Sequence, residues 1–374
     1  MEATSLPNPV LSVGEQMTKS ICFFNHKGGV SKTTTTFNLD WSLASMGKKV
    51  LMVDLDSQCN LTGMVLGYEA LEDGLDSFYS SRDNLTMGPI VEFLINGGQP
   101  ETYLQQDAGK IHRTLNENLF LLAGHLDVAD LDSQISVSLK IAAGIPATRN
   151  IPGNLPKLLQ AVAAANDIDY ILYDLSPNVG GLNEVMLMSS DYFIVPTTPD
   201  FFCWQAINSL SRNIPKWHKE IRRFKEDNES TNNAARFINN EPKFLGTIQQ
   251  RYRPRNGMPA KSFERWINNI RGAVDSTLVP KLSNINCILP RESLQAALDA
   301  TGSELNAYDL AHIADFNSLI AISQQLSTPV FSLTDRQIAE SGQFGHALNT
   351  MKASRDTFSR QFKSLADRVL LLTA

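Results

Sequence analysis

FFNHKGGVSKTTTTFNL, residues 23–39, is the stretch whose reading decides the fold. An apolar run precedes it and a helical pattern follows, so it reads as strand, loop and helix. Gly28 and Gly29 let the backbone approach an anion with no Cβ in the way. Successive N–H groups of such a loop converge on phosphate oxygens, and the helix N-terminus adds positive potential. Lys32 is then placed to reach the β- and γ-phosphates, and the Thr33 hydroxyl to bind Mg²⁺. The familiar G-x-x-x-x-G-K-[ST] spacing is not met, because His26 and Ser31 stand at its two glycine positions. The residues fit K-G-G-x-x-K-T-T instead, with a second lysine, Lys27.

Outward from the loop, short apolar runs predict strands at 20–25, 49–54, 119–123, 170–174, 192–196, 243–248 and 285–289. Several are continuously apolar, as expected when both faces of a parallel sheet are covered. Helical stretches alternate with them, which predicts an α/β fold with a doubly wound, mostly parallel sheet, helices on both faces and a helical C-terminal region. Residues 1–19 read as an N-terminal extension, 20–330 as the main domain and 331–374 as a helical region packed on it. Two polar insertions are expected, at about 68–117 and at 226–242. Thr334 with Gln337 suggests a capping box within an otherwise helical last ~80 residues.

Composition narrows the class. The 374 residues carry 33 Lys+Arg and 39 Asp+Glu, a net charge of −6, so any polyanion contact must come from a local basic patch. No apolar run reaches the ~18 residues of a membrane span. The first residues lack the basic start and apolar stretch of a signal peptide. The cysteines Cys22, Cys59, Cys203 and Cys287 form no C-x-x-C pair and read as reduced cytosolic thiols.

Taken with the loop, five further blocks resemble the deviant Walker A ATPases, and within them the ParA partition ATPases. VLMVDLDSQCNLTG (50–63) resembles their D-x-D-P-Q-x-N motif, with Ser57 for the proline. YILYDLSPNVGGLNEVML (170–187) resembles the Walker B segment. IVPTTPDFFCWQAI (194–207) and FLGTIQQRYRPRNG (244–257) resemble later segments, as does CILPRESLQAA (287–297). The blocks keep family order across roughly residues 20–330. With only a short stretch before the loop, the helix-turn-helix extension of the larger ParA subgroup is not expected.

The resemblance implies ATP and Mg²⁺ as ligands and slow ATP hydrolysis, stimulated by a partner. Lys27, Gly28, Gly29, Val30, Ser31, Lys32, Thr33 and Thr34 would bind the phosphates. Thr33 and Asp174 would hold Mg²⁺, with Asp54 near its shell, and Asp56 would orient the attacking water. Lys27 would cross a dimer interface to the partner's phosphates, a cation supplied in trans. Pro199, Asp200, Arg251 and Tyr252 occupy stretches matching the adenine contacts. Asn25 reads as a hydrogen-bonding residue at a strand end. His26 does not read as a proton shuttle.

Two basic clusters are candidates for DNA. A helix over 204–225 puts Arg212, Lys216, Lys219 and Arg223 on one stripe and Leu210, Ile214, Trp217, Ile221 and Phe224 on the opposite one, unless Pro215 breaks it. The second cluster is Arg251, Arg253 and Arg255, followed by Lys261, Arg265 and Arg271. At the C-terminus, Phe344, Leu348, Met351, Phe358, Phe362, Leu365, Val369 and Leu372 form an apolar stripe, with Arg355 at one of its positions. That stripe suits packing on the chain's own sheet, a dimer contact or a membrane surface, in that order.

The leading expectation is therefore a cytoplasmic, nucleoid-associated homodimer in the ATP state. It would bind DNA non-specifically and answer to a ParB-like or other cargo-bound partner, moving a plasmid, chromosome region or other cargo. The alternatives are a MinD-like membrane ATPase, for which the basic amphipathic end is not evident, and a signalling or anti-phage ATPase using the same switch. Metabolic relatives with metal- or thiol-binding cysteines do not fit the unpaired cysteines.

Overall fold

The computed structural model describes residues 18–67, 76–106, 109–140, 149–228, 234–255 and 258–374. Its strands are β1 (Lys19–Phe23), β2 (Val50–Leu55), β3 (His112–Arg113), β4 (Leu119–Leu122), β5 (Tyr170–Leu175), β6 (Tyr192–Thr197), β7 (Lys243–Tyr252), β8 (Pro254–Arg255), β9 (Met258–Pro259) and β10 (Asp309–Ala314). Eight of them form one sheet in the order β10-β7-β6-β1-β5-β2-β4-β3, while β8 and β9 make a separate hairpin. All neighbours in the large sheet are parallel except β3 with β4. Every position of β2 and β5 is buried, so both faces of the sheet are covered, as their unbroken apolar sequences require.

The helices that matter for the site are α1 (Lys32–Ser45), α2 (Asn60–Leu66), α3 (Met87–Ile95), α4 (Val128–Lys140), α5 (Ile151–Ala165), α6 (Gly181–Ser189), α7 (Phe201–Asn228), α8 (Lys261–Ala273), α9 (Arg291–Ala300) and α10 (Gly345–Leu372). Strand register levels the carboxyl ends of the central strands. Phe23 pairs with Asp174 on one side and Ile194 on the other, and Asp54 pairs with Asp174. The loop after β1 and the carboxylates closing β2 and β5 thus emerge together, where an open α/β sheet binds its ligand.

Three features depart from the sequence reading. Residues 285–289 form no strand; only Ile288 bridges to Phe244, and Asn286 has φ 57°. The edge strand is β10, inside a region expected to be helical. Its Asp309 interrupts the apolar pattern, yet it is 2% exposed because Arg271 and His312 hold its carboxylate at 2.9 and 2.8 Å. Second, β7 runs on to Tyr252, with Gly246 at φ 144° where a Cβ would lie 2.8 Å from the Tyr308 carbonyl oxygen. Third, the stretch 68–117 is more than a polar insertion. Its described part supplies α3, the edge strand β3 and the buried side chains of Leu85, Ile90 and Leu94.

Helix α7 continues through Pro215. A proline inside a helix costs ~3 kcal/mol, and five buried side chains at about 1.5–3 kcal/mol each outweigh it. Those are Leu210, Ile214, Trp217, Ile221 and Phe224, the expected inward stripe. Thr334 and Gln337 do form a capping box: the Thr334 hydroxyl accepts from the Gln337 N–H at 3.2 Å, and Gln337 Oε1 accepts from the Thr334 N–H at 2.8 Å. The stripe of α10 packs on α1, β10 and α9, with Phe358, Phe362, Leu365 and Val369 buried. Phe344 at its start is 81% exposed and takes no part. The N-terminal extension lies outside the described residues as far as residue 17, as do 68–75, 107–108 and 229–233 of the insertions.

Candidate functional site

The loop between β1 and α1 is braced from three sides. At the end of β1, the Asn25 side chain accepts from the Lys27 N–H at 3.0 Å and donates to the Pro196 carbonyl at 2.9 Å, tying the loop to β6. Gly29 has φ 72° and Ser31 φ 58°, so both take the left-handed conformation that turns successive N–H groups inward. Only the first is a glycine, and Ser31 carries the strain at the N-cap of α1. From the end of β7, Gln250 donates to the Val30 carbonyl at 3.3 Å and accepts from the Thr35 hydroxyl at 2.7 Å. Arg251, itself at φ 58°, donates to the Gly29 carbonyl at 2.9 Å. The β7 contacts were not read from sequence. A polar Gln-Gln pair continuing an apolar strand was the available signal.

Lys32 is buried and donates to the Asn25 carbonyl at 3.1 Å. Burial lowers its pKa, against the opposing pull of Asp174 and Asp56. Asp174 is 1% exposed, and neither carboxylate oxygen has a hydrogen-bond partner at bonding geometry among the described residues. Burial first, and Asp54 second, push its carboxyl up to about 7, partly offset by the Thr33 hydroxyl and Lys32. A buried carboxylate with the Thr33 hydroxyl near it but no hydrogen bond at bonding geometry among the described residues, beside a second carboxylate, fits a divalent cation, which would remove the cost of its charge.

Asp54 differs. Its Oδ2 accepts from the Thr62 N–H at 2.8 Å and the Thr62 hydroxyl at 2.7 Å, and its Oδ1 from the Asp56 N–H at 3.2 Å. Burial raises its carboxyl to about 6 despite those bonds. Its oxygens are thus engaged by the chain itself. Asp56, 6% exposed, accepts from the Gln58 N–H at 3.1 Å and the Ser176 hydroxyl at 3.2 Å. Ser176 therefore ties the Walker B tail to the D-x-D loop.

Lys27 lies on the same rim, and its ammonium pairs with Asp200 at 2.8 Å and Thr198 at 3.1 Å. Asp200 Oδ1 also accepts from the Cys203 N–H at 2.8 Å, so this residue caps α7. Burial would raise the Asp200 carboxyl, but Lys27 and Thr198 hold it below the usual range. Of the stretches matched to adenine contacts, Pro199 precedes this cap and Arg251 lies over the loop. Tyr252 is 6% exposed, with its ring edge-on to His312. His26 has an unpartnered Nδ1, and burial lowers its pKa.

On the basic surfaces, Arg212, Lys216, Lys219 and Arg223 all lie on the exposed side of α7. Lys216 and Arg223 face Glu220 and Asp227 at 3.6 and 3.7 Å, so part of the stripe's charge is compensated. In the second cluster, Arg251 bonds the loop and Arg271 pairs with Asp309, so both are engaged within the chain. Arg253 is exposed, and the Arg255 side chain lies outside the described residues.

An AAA domain family model matches residues 18–226, more than half of the chain. The chain belongs to the ParA-type ATPases of the MinD/ParA P-loop family. This ParA-type chain is 28% identical over 194 residues to the chromosome partitioning protein ParA of Myxococcus xanthus. The match takes in 52% of the chain and 57% of that protein, so it spans little more than half the relative's length. Among solved structures, protein DIP2308 of Corynebacterium diphtheriae superposes with TM-score 0.59 at 23% identity, covering 83% of this chain and 97% of that one. ParA of pNOB8, solved bound to nonspecific DNA, superposes with TM-score 0.51 at 17% identity, covering 95% and 98%. Both likenesses concern the fold. The family is one of partition and positioning ATPases.

Proposed function

We propose that this ParA-type chain is an ATP-gated dimerisation switch that holds DNA without sequence preference in its ATP state. The observation that carries the reading is the set of groups converging on the β1–α1 loop: buried Lys32, the Thr33 hydroxyl, the unpartnered carboxylate of Asp174, and Asp56 fixed beside them. The loop's N–H groups and Lys32 bind the triphosphate, and Thr33 and Asp174 hold Mg²⁺, with Asp54 near its shell. When bound, the ion would neutralise charge on the transferring phosphoryl group. Asp56 orients the attacking water. Hydrolysis stays slow until a ParB-like or other cargo-bound partner acts.

Lys27 is the gate. Reaching a second subunit's phosphates requires opening its pair with Asp200, so the lysine is stored in cis until nucleotide and partner subunit compete for it. DNA is held by α7, through Arg212, Lys216, Lys219 and Arg223, with Arg253 and Arg255 adding charge; dimerisation doubles the contacts. The pNOB8 likeness and the exposed α7 stripe support this part. The membrane alternative loses its element, since the apolar stripe of α10 is packed on the chain itself and no described helix is long and apolar enough to cross a membrane. We place the protein in the cytoplasm, on the nucleoid when ATP-bound.

The test is fluorescence anisotropy on unrelated duplexes with ATP and with ADP across a salt series, paired with light scattering. Binding with ATP, with a log–log salt slope of about −4 to −5 for ~4–6 phosphate contacts, is expected. Lys27→Ala should bind nucleotide yet stay monomeric and leave DNA free. Equal binding in both nucleotide states, or normal ATP-driven dimers of Lys27→Ala, refutes the gate.

A further inference from the structure

The residues of the 68–117 insertion have no role in the reading above, yet one of them is bonded through to the hydrolysis loop. Residues 76–80 form a helical turn that carries Tyr79. The Tyr79 hydroxyl donates to the Gly124 carbonyl at 2.8 Å, just past β4. The N–H of Gly124 donates to the Thr62 hydroxyl at 2.8 Å. That hydroxyl donates to Asp54 Oδ2 at 2.7 Å, and Asp54 Oδ1 accepts from the backbone N–H of Asp56 at 3.2 Å. Four hydrogen bonds, joined at Gly124 through its Cα, thus link the insertion to the residue read as orienting the water.

Little slack exists along this line. Thr62 and Asp54 are 1% and 0% exposed. At Gly124 a Cβ would stand 2.9 Å from Asp54 Cγ, so the backbone there abuts the carboxylate directly. Tyr79 is held from its other side by His125, with ring centroids 5.4 Å apart at 67°. Burial raises the pKa of its phenol, so it remains a donor at all working pH. The coupling is mechanical: the Tyr79 bond fixes the backbone of Gly124, which in turn packs on and bonds the Thr62–Asp54 pair.

We infer that Tyr79 is a positioning residue for Asp56, acting through Gly124, Thr62 and Asp54. The inference rests on the reading of Asp56 as the residue that orients water. Displacing a reacting group by a fraction of an ångström is costly because phosphoryl transfer depends on alignment. The phosphates and their lysine are bound elsewhere, so loss of the phenol should touch the rate and spare nucleotide affinity.

The experiment is steady-state ATPase kinetics and calorimetric ATP binding on the full chain as Tyr79→Phe, Thr62→Val, the double variant and Asp56→Ala. Tyr79→Phe should lower kcat by ~3- to 10-fold, one hydrogen bond's worth, with KM and ATP affinity unchanged. Thr62→Val should lower it at least as far, and the double variant should be no slower than Thr62→Val alone. Retained ATP binding shows each variant folded. A parental kcat for Tyr79→Phe, a matching rise in KM, or multiplicative losses in the double variant overturn the inference. A fully active Asp56→Ala overturns the underlying reading of the hydrolysis site and this inference with it. An inactive Asp56→Ala beside an unaffected Tyr79→Phe refutes only the line from Tyr79.

Discussion

Replacing Asp200 by asparagine should tighten the ATP-bound dimer. The amide keeps an oxygen for the Cys203 N–H, so the cap of α7 survives, but the partner charge of Lys27 is gone. The Lys27 and Asp200 side chains are 24% and 38% exposed, so solvent screens their attraction and the pair is worth ~1 kcal/mol, not the several of a buried pair. On the proposed trans-lysine reading, each dimer needs two lysines released. The variant is therefore spared ~2 kcal/mol, a shift of ~30-fold in the dimer dissociation constant. Sedimentation equilibrium with ATP, in an Asp56→Ala background that prevents turnover, measures it directly. Without nucleotide, both proteins should remain monomeric, because no phosphates await the freed lysine. An Asp200→Asn protein whose ATP dimer is equal to or weaker than the parent's would mean that the cis pair does not restrain Lys27, and the storage argument would fail.

Lys32→Ala should lose measurable ATP binding in calorimetry, since its ammonium is buried beside the loop; parental affinity would displace the phosphate assignment. The nucleotide-free protein should lose stability as pH rises. Asp54 and Asp174 have folded pKa values of about 6 and about 7, against ~3.9 unfolded. Their contribution is thus complete below ~4 and disappears as pH climbs through 6 to 7. Asp174→Asn should flatten that fall and melt higher than the parent at pH 8; a parallel curve would count against the burial argument. Phe362→Ala, truncating a side chain with 0% exposure packed near Phe316 and Phe331, should cost about 3–5 kcal/mol in urea unfolding.

Strands β1, β2 and β4 to β7 were legible because several of them are nearly continuous apolar runs, as a doubly covered sheet requires, and the rest keep an apolar core between turn signals. β10 was not, because Asp309 and His312 break its pattern and become acceptable only once Arg271, 38 residues away, supplies the charge. The segment around 285–289 failed for the converse reason: apolar enough for a strand, it is turned away by Asn286 at positive φ. In the site, the phosphate loop could be read locally, since its glycines, lysine and threonine act through spacing. The partners that brace it could not. Asp200 lies 173 residues from Lys27 and Arg251 222 from Gly29, so only the register of β1, β6 and β7 brings them together. Tyr79 was hidden for the same reason, in a stretch whose composition suggested only a polar insertion.

Helix α1, which starts at the phosphate loop, is finished from the far end of the sequence. Asn38 accepts from the Val330 N–H at 3.2 Å, and the Ser42 hydroxyl donates to the Phe362 carbonyl at 3.3 Å. Beside them, Lys19 bonds the Thr373 carbonyl, and the Tyr170 and Thr373 hydroxyls meet at 2.8 Å. During synthesis the phosphate loop therefore emerges about three hundred residues before the back of its helix can be covered. A nascent chain carries the loop without a finished scaffold until the residues around Val330 and Phe362 have been made. If the loop binds nucleotide as proposed, the order in which the parts are made disfavours capture before the scaffold is complete.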